Sequence, residues 1–181
     1  MKIETRDITL TAVFISLYFV INLIQSVTVG NPVISGPVQL RVADCLIVLA
    51  ALMGWPVAIG VTVGCVLTNA YAFISPVDVV FGPVANLIAA SLVITLKKHE
   101  LLACIAAAFP IGLIVGGGYL WWFFEPPDIL GLGLPMWMAM MASITISSLI
   151  ATAVIGYTLL KILGRSGIIE PLKSRGLKID T

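Results

Sequence analysis

Gln39-Leu40-Arg41-Val42-Ala43-Asp44 opens, and Asp78-Val79-Val80-Phe81-Gly82-Pro83-Val84-Ala85-Asn86 closes, the stretch whose reading decides this fold. Between them lies an apolar segment punctuated by Gly60, Gly64 and Asn69. Three strong charges, Arg41, Asp44 and Asp78, thus stand among residues suited to lipid. The rest of the chain explains why. Of 181 residues, 60% are hydrophobic and only 10% charged, with a mean hydropathy of +1.11; soluble domains carry about 25% charged residues. Charge-free runs cover 8–40, 45–77, 79–96, 101–124 and 129–160, and about 20 largely apolar residues suffice to cross a bilayer as a helix. The expected fold is all-α, a polytopic membrane protein with a membrane domain over 1–165 and a basic tail over 166–181. A net charge of +1 gives no argument for nucleic acid. Cys45, Cys65 and Cys104 have no metal-ligand spacing and an odd count, so they read as packing residues. The first run is too long for a cleaved signal and leads into no soluble domain.

Charge parity sets the number of spans. Residues 43–73 form either one long bent helix or two short spans turning at Gly54-Trp55-Pro56. With six spans, the Lys97-Lys98-His99-Glu100 loop and the tail lie on the same side as Lys2 and Arg6. Nine of the ten Lys and Arg residues then face the cytoplasm and only Arg41 lies outside, as the positive-inside rule prefers. Five spans would place Lys97, Lys98 and the tail outside. Six transmembrane helices with both termini cytoplasmic is therefore the expectation. The first covers about Ile8 to Gln25, the fifth about Leu101 to Tyr119, and the sixth about Pro135 to Lys161. The second has only about a dozen residues, and Ser75-Pro76 with Asp78 reads as a capping-box start for the fourth.

Under that topology Arg41, Asp44, Asp78, Glu125 and Asp128 share the external side. Ionisable groups at membrane depth suggest a substrate or ion site by default. Arg41 and Asp44, three apart on a helix, have a simpler option in pairing with each other, and Asp78 has one as a cap. Asn86 follows Asp78 by eight residues, about 80° around the helix, with Gly82 leaving space between them. Asn69 reaches the same region or forms a helix-helix hydrogen bond. Gly60-x-x-x-Gly64 is first a close-packing stripe. Trp121 and Trp122 read as an interfacial belt or as a lid stacking on a flat ligand, with Glu125 or Asp128 reading its donors. His99 is a surface residue. No catalytic constellation, metal site, cofactor motif or phosphate-cradling loop is present, so an enzyme is not expected and any pumping energy must come from an ion gradient or a partner.

Gln39-x-Arg41-Val42-Ala43-Asp44-x-Leu46, Gly60-x-x-x-Gly64-Cys65-x-x-x-Asn69 and Asp78-x-x-Phe81-Gly82-x-x-Ala85 resemble the queuosine-precursor transporter (QueT) family. These are substrate-binding S components of energy-coupling factor (ECF) transporters. The resemblance extends over about residues 5 to 97; the last two spans match in general character. Family patterns often place Glu at the position of Asp44 and Thr at that of Asn86. The resemblance implies a six-helix S component that binds a 7-deazaguanine on its outer side. It implies docking on a transmembrane coupling protein with two cytoplasmic ATPases, through a small-xxx-small motif met here by Ala12 and Ser16. A deazaguanine is flat, its ring N–H and amine are adjacent donors suited to a carboxylate, and an aminomethyl form adds a cation suited to a second one. Asp78 and Asn86 are the leading candidates for the base edge, Arg41 and Asp44 come next, and Asn69, Gln39, Trp121, Trp122, Glu125 and Asp128 complete the set. The alternatives are a solitary carrier, an S component for another small vitamin, or a membrane scaffold.

Overall fold

The first apolar run becomes a single helix, α1 (Thr5–Thr28), entered through a capping box in which Glu4 and Asp7 exchange side-chain-to-backbone hydrogen bonds. The computed structural model describes residues 4–30, 40–125 and 133–174, with side chains undescribed at 172 and 173. Six further helices follow among these residues: α2 (Val42–Met53), α3 (Trp55–Tyr71), α4 (Pro76–Thr95), α5 (Glu100–Trp122), α6 (Met136–Leu163) and α7 (Ser166–Ser174). No strand occurs among the described residues.

Helices α1, α4, α5 and α6 are long and apolar enough to cross a membrane; α2 and α3 are shorter apolar helices. The turn expected at Gly54-Trp55-Pro56 separates α2 from α3. Gly54 has φ +68°, a conformation glycine adopts without penalty, and Pro56 occupies the first turn of α3.

α2 is the centre of the bundle. Every residue from Ala43 to Leu52 is buried, and the segment touches α1, α3, α4, α5 and α6. Its first eight residues, Val42–Leu49, form a 3-10 helix. That backbone rises about 2.0 Å per residue against 1.5 Å in an α-helix, so twelve residues reach about 22 Å rather than 18 Å. Non-α backbone at such depth is tolerated where protein surrounds it. Gly156 on α6 provides one of the close approaches: a Cβ there would come within 2.8 Å of Val48 and 3.1 Å of the Cys45 carbonyl.

The Gly60–Gly64 stripe packs α3 onto α1. A Cβ on Gly60 would sit 2.6 Å from Phe14 Cβ, and one on Gly64 2.8 Å from Tyr18 Cβ. The buried residues of α1 are Phe14, Tyr18 and Asn22, one line at four-residue spacing. Elsewhere α1 is exposed at Ile8, Val13, Leu17, Val20, Ile24 and Val27. α5 and α6 each contain one wide π turn, Gly112–Gly117 and Ile150–Gly156, and Thr152 joins them by donating to the Cys104 carbonyl at 2.8 Å.

Three local expectations change. Arg41 and Asp44 do not share an α-helical face, because Arg41 is the extended residue preceding the 3-10 segment. The fourth span does start at Ser75, whose hydroxyl accepts from the Asp78 N–H at 3.2 Å, but the Asp78 carboxylate turns elsewhere. The segment after α6, read as a surface tail, contains α7, and Ile169 on it is buried against the core.

Candidate functional site

Five helix ends converge around the mouth of the bundle: the C-terminal ends of α1, α3 and α5 and the N-terminal ends of α2 and α4. They bring together two hydrogen-bonded networks built on buried carboxylates. In the upper one, Asp78 Oδ1 accepts from the Tyr119 hydroxyl at 2.6 Å, and Asn69 Nδ2 donates to the Asp78 carbonyl at 2.9 Å. In the second, Tyr18 donates to Asp44 Oδ1 at 2.6 Å and accepts from Asn86 Nδ2 at 2.9 Å. Asp44, Asp78, Asn69 and Asn86 are all at most 4% exposed. A buried ion is costly unless partnered, and each carboxylate here has a tyrosine hydroxyl.

Gly82 is where the upper network needs glycine. A Cβ there would lie 2.5 Å from Asn69 Nδ2 and 3.7 Å from both Asp78 Oδ1 and the Tyr119 hydroxyl. The room beside Gly82 is taken up by Asn69, and Asp78 and Asn86 do not share it, since Asn86 bonds Tyr18 in the second network.

Arg41 is held by backbone rather than by a carboxylate. The Gln25 side chain clamps the chain on either side of it, donating to the Leu40 carbonyl and accepting from the Val42 N–H at 3.1 Å. The guanidinium makes one weak contact, Nη1 to Cys65 Sγ at 3.6 Å, and no ion pair among the described residues. The anticipated Arg41–Asp44 pair does not form, because Asp44 is taken by Tyr18. Among the described residues, this half-buried guanidinium with five N–H donors finds one sulfur contact and is short of acceptors.

Between these groups lies a cavity of about 20 Å³. Its polar wall is Asn22, Ser26, Arg41, Thr68, Asn69 and Asp78, and its apolar wall Ala72 and Ile74. That volume admits one water, whereas sites for small molecules enclose roughly 300–1,000 Å³. At this volume the mouth has no room for a small molecule.

Of the residues expected at a site, Arg41, Asn69 and Asp78 line the cavity, while Asp44 and Asn86 lie in the second network. Trp121 is half-buried and donates to the Gly117 carbonyl at 3.1 Å; Trp122, packed edge-on against it, is exposed. Neither Trp lines the cavity, nor does Glu125, which is exposed. The aromatic ring that meets the upper network is that of Tyr119. Gln39 and Asp128 lie outside the described residues. Ala12 and Ser16 lie on the open side of α1.

Tyr18, Asn22, Gln25 and Tyr119 were not anticipated. The first three follow one another at spacings of four and three on an otherwise apolar helix, a polar stripe that helical periodicity exposes.

The QueT transporter family model matches residues 8–165, nearly the whole chain. The chain belongs to the QueT transporter family. QueT proteins are transporters rather than enzymes, and the apolar helices agree with a membrane protein. No match was found among curated proteins, and none among solved structures.

Proposed function

We propose that this QueT protein is the substrate-binding S component of an ECF-type importer, taking a 7-deazaguanine precursor of queuosine or archaeosine at the mouth of the bundle. The observation that carries this reading is the pairing of Arg41, poor in acceptors, with the Asp78 carboxylate across one polar cavity. A guanine-like edge offers a carbonyl acceptor beside two N–H donors. Arg41 suits the carbonyl and Asp78 the donors, in a dry site where satisfying every donor yields large discrimination. Tyr119 holds Asp78, and the ligand takes over that hydroxyl's place as the mouth widens. Asn69 positions Asp78, and Tyr18 with Asp44 and Asn86 forms the floor. Two carboxylates against one guanidinium leave one formal negative charge, which favours the aminomethyl base over the neutral cyano form.

All six apolar helices cross the membrane in this reading, with the mouth outside. Arg6, Lys97, Lys98, Lys161 and Arg165 belong to the opposite end, which the positive-inside rule assigns to the cytoplasm together with both termini. α1, the least buried of the long helices, presents Ala12 and Ser16 to a transmembrane coupling protein served by two cytoplasmic ATPases.

Calorimetry on the purified protein tests the substrate. Binding of the aminomethyl base at least about tenfold tighter than the cyano form is expected; tight binding of an unrelated vitamin instead would remove the substrate and keep the class. Uptake assays test the coupling. Ala12→Leu with Ser16→Leu should abolish uptake with the coupling module present while leaving binding intact. Full uptake in a host lacking any such module would identify a solitary carrier.

A further inference from the structure

Asn22 contains an acceptor that no other described residue uses. Its Nδ2 donates to the Tyr18 carbonyl one turn back, at 2.9 Å. Because a carbonyl only accepts, that bond fixes the amide with its nitrogen toward the helix and leaves Oδ1 as the free arm. Asn22 is 3% exposed and its Oδ1 has no hydrogen-bond partner among the described residues, although Asn22 lines the polar cavity with Arg41 and Asp78. Buried acceptors are satisfied in the great majority of cases, and one left open calls for a reason. Packing does not require an amide: Thr68, buried at the same cavity, satisfies itself with the same kind of bond to the Gly64 carbonyl one turn back.

We propose that Asn22 is a specificity-determining residue of the substrate site, whose Oδ1 accepts a hydrogen bond from the exocyclic amine of the bound base. This deepens the deazaguanine reading and rests on it. The cavity then supplies three complementary groups from three helix ends. The Arg41 guanidinium donates to the ligand carbonyl, the Asp78 carboxylate accepts from the ring N–H and one amine hydrogen, and Asn22 accepts from the second amine hydrogen. An amine carries two hydrogens, and a carboxylate gripping the ring N–H reaches only one of them. A base without the amine leaves Oδ1 buried and unpaired, so the residue rejects hypoxanthine-like bases.

The test uses the full chain in detergent, titrated with 7-aminomethyl-7-deazaguanine and with its analogue lacking the exocyclic amine. Asn22→Thr replaces the bond to the Tyr18 carbonyl by its hydroxyl and removes the amide oxygen; Asn22→Ala removes both arms. In the wild type the amine should improve affinity by two orders of magnitude or more. In Asn22→Thr the affinity for the parent base should fall about ten- to hundredfold, while that for the analogue barely changes, so that discrimination collapses. If Asn22→Ala does not accumulate folded, Asn22→Thr alone decides. Unchanged discrimination in a folded variant, whatever its melting temperature, overturns the role of Asn22 and leaves the deazaguanine reading standing. A wild type that binds neither base overturns that reading, and this inference with it.

Discussion

The two ends of the bundle carry similar chemistry in opposite surroundings. At the far end, Glu100 and Lys161 form an ion pair at 2.5 Å with side chains 38% and 55% exposed. Lys161 also lies over the Tyr157 ring, and Lys98 and His99 line the same open groove of about 450 Å³. At the mouth, Asp44 and Asp78 are 4% and 2% exposed and rely on the hydroxyls of Tyr18 and Tyr119. Exposed ion pairs contribute little to stability. Buried charges demand partners, and a buried group short of partners is ready for a ligand. Charge alone does not make a site here; enclosure does.

The strongest way to break this contrast is Asp78→Asn, which keeps shape and removes charge. Ligand affinity should drop more than about a hundredfold, since the partner donors of the ligand are left unpaired. A loss of only a few-fold, with a lower melting temperature, would assign Asp78 to structure instead. Arg41→Met should weaken binding about ten- to hundredfold by removing the donor to the ligand's carbonyl; unaltered calorimetric affinity would exclude the guanidinium from the contact.

Stability probes separate the two networks. Tyr18→Phe leaves Asp44 and Asn86 without their shared partner and should cost about 1–3 kcal/mol, read by denaturant or thermal melts. Gly82→Ala forces a Cβ onto Asn69 Nδ2 and should cost about 1–3 kcal/mol by overpacking, with weakened ligand binding because Asn69 loses its hold on Asp78. Lys161→Ala, at the exposed end, should leave ligand affinity unchanged and move the melting temperature least of all. A large effect there would contradict the contrast directly.

Much of the frame was legible because its signals are local. Ser75 as a cap, the Gly54 turn and the Gly60–Gly64 stripe each state a backbone requirement that one residue type meets. The candidate site was legible only where it is charged or lies in the quoted motifs. Arg41, Asn69 and Asp78 meet at the cavity, but the reading passed over Tyr18, Asn22, Gln25 and Tyr119. A neutral polar group on an apolar helix carries no charge to mark it, and its meaning depends on what faces it. The Arg41–Asp44 pair failed for a related reason: spacing of three implies a shared face only in an α-helix, and Arg41 lies before the 3-10 segment.

By itself the sequence determined the class of molecule: a chain this apolar must place its backbone in helices and its surplus basic residues at one end, because lipid satisfies no N–H or C=O. The family follows from its motifs. Only the tertiary structure decided that the shortest of the six apolar helices is the central one, since a 3-10 backbone is tolerated where other helices shield it. The tertiary structure likewise decided which tyrosine serves which carboxylate, and that Arg41 and Asn22 line one cavity with donors and an acceptor unspent among the described residues. Hydrogen bonds across a bundle join residues as far apart as Tyr18 and Asn86, and no local pattern encodes which partners burial will bring together.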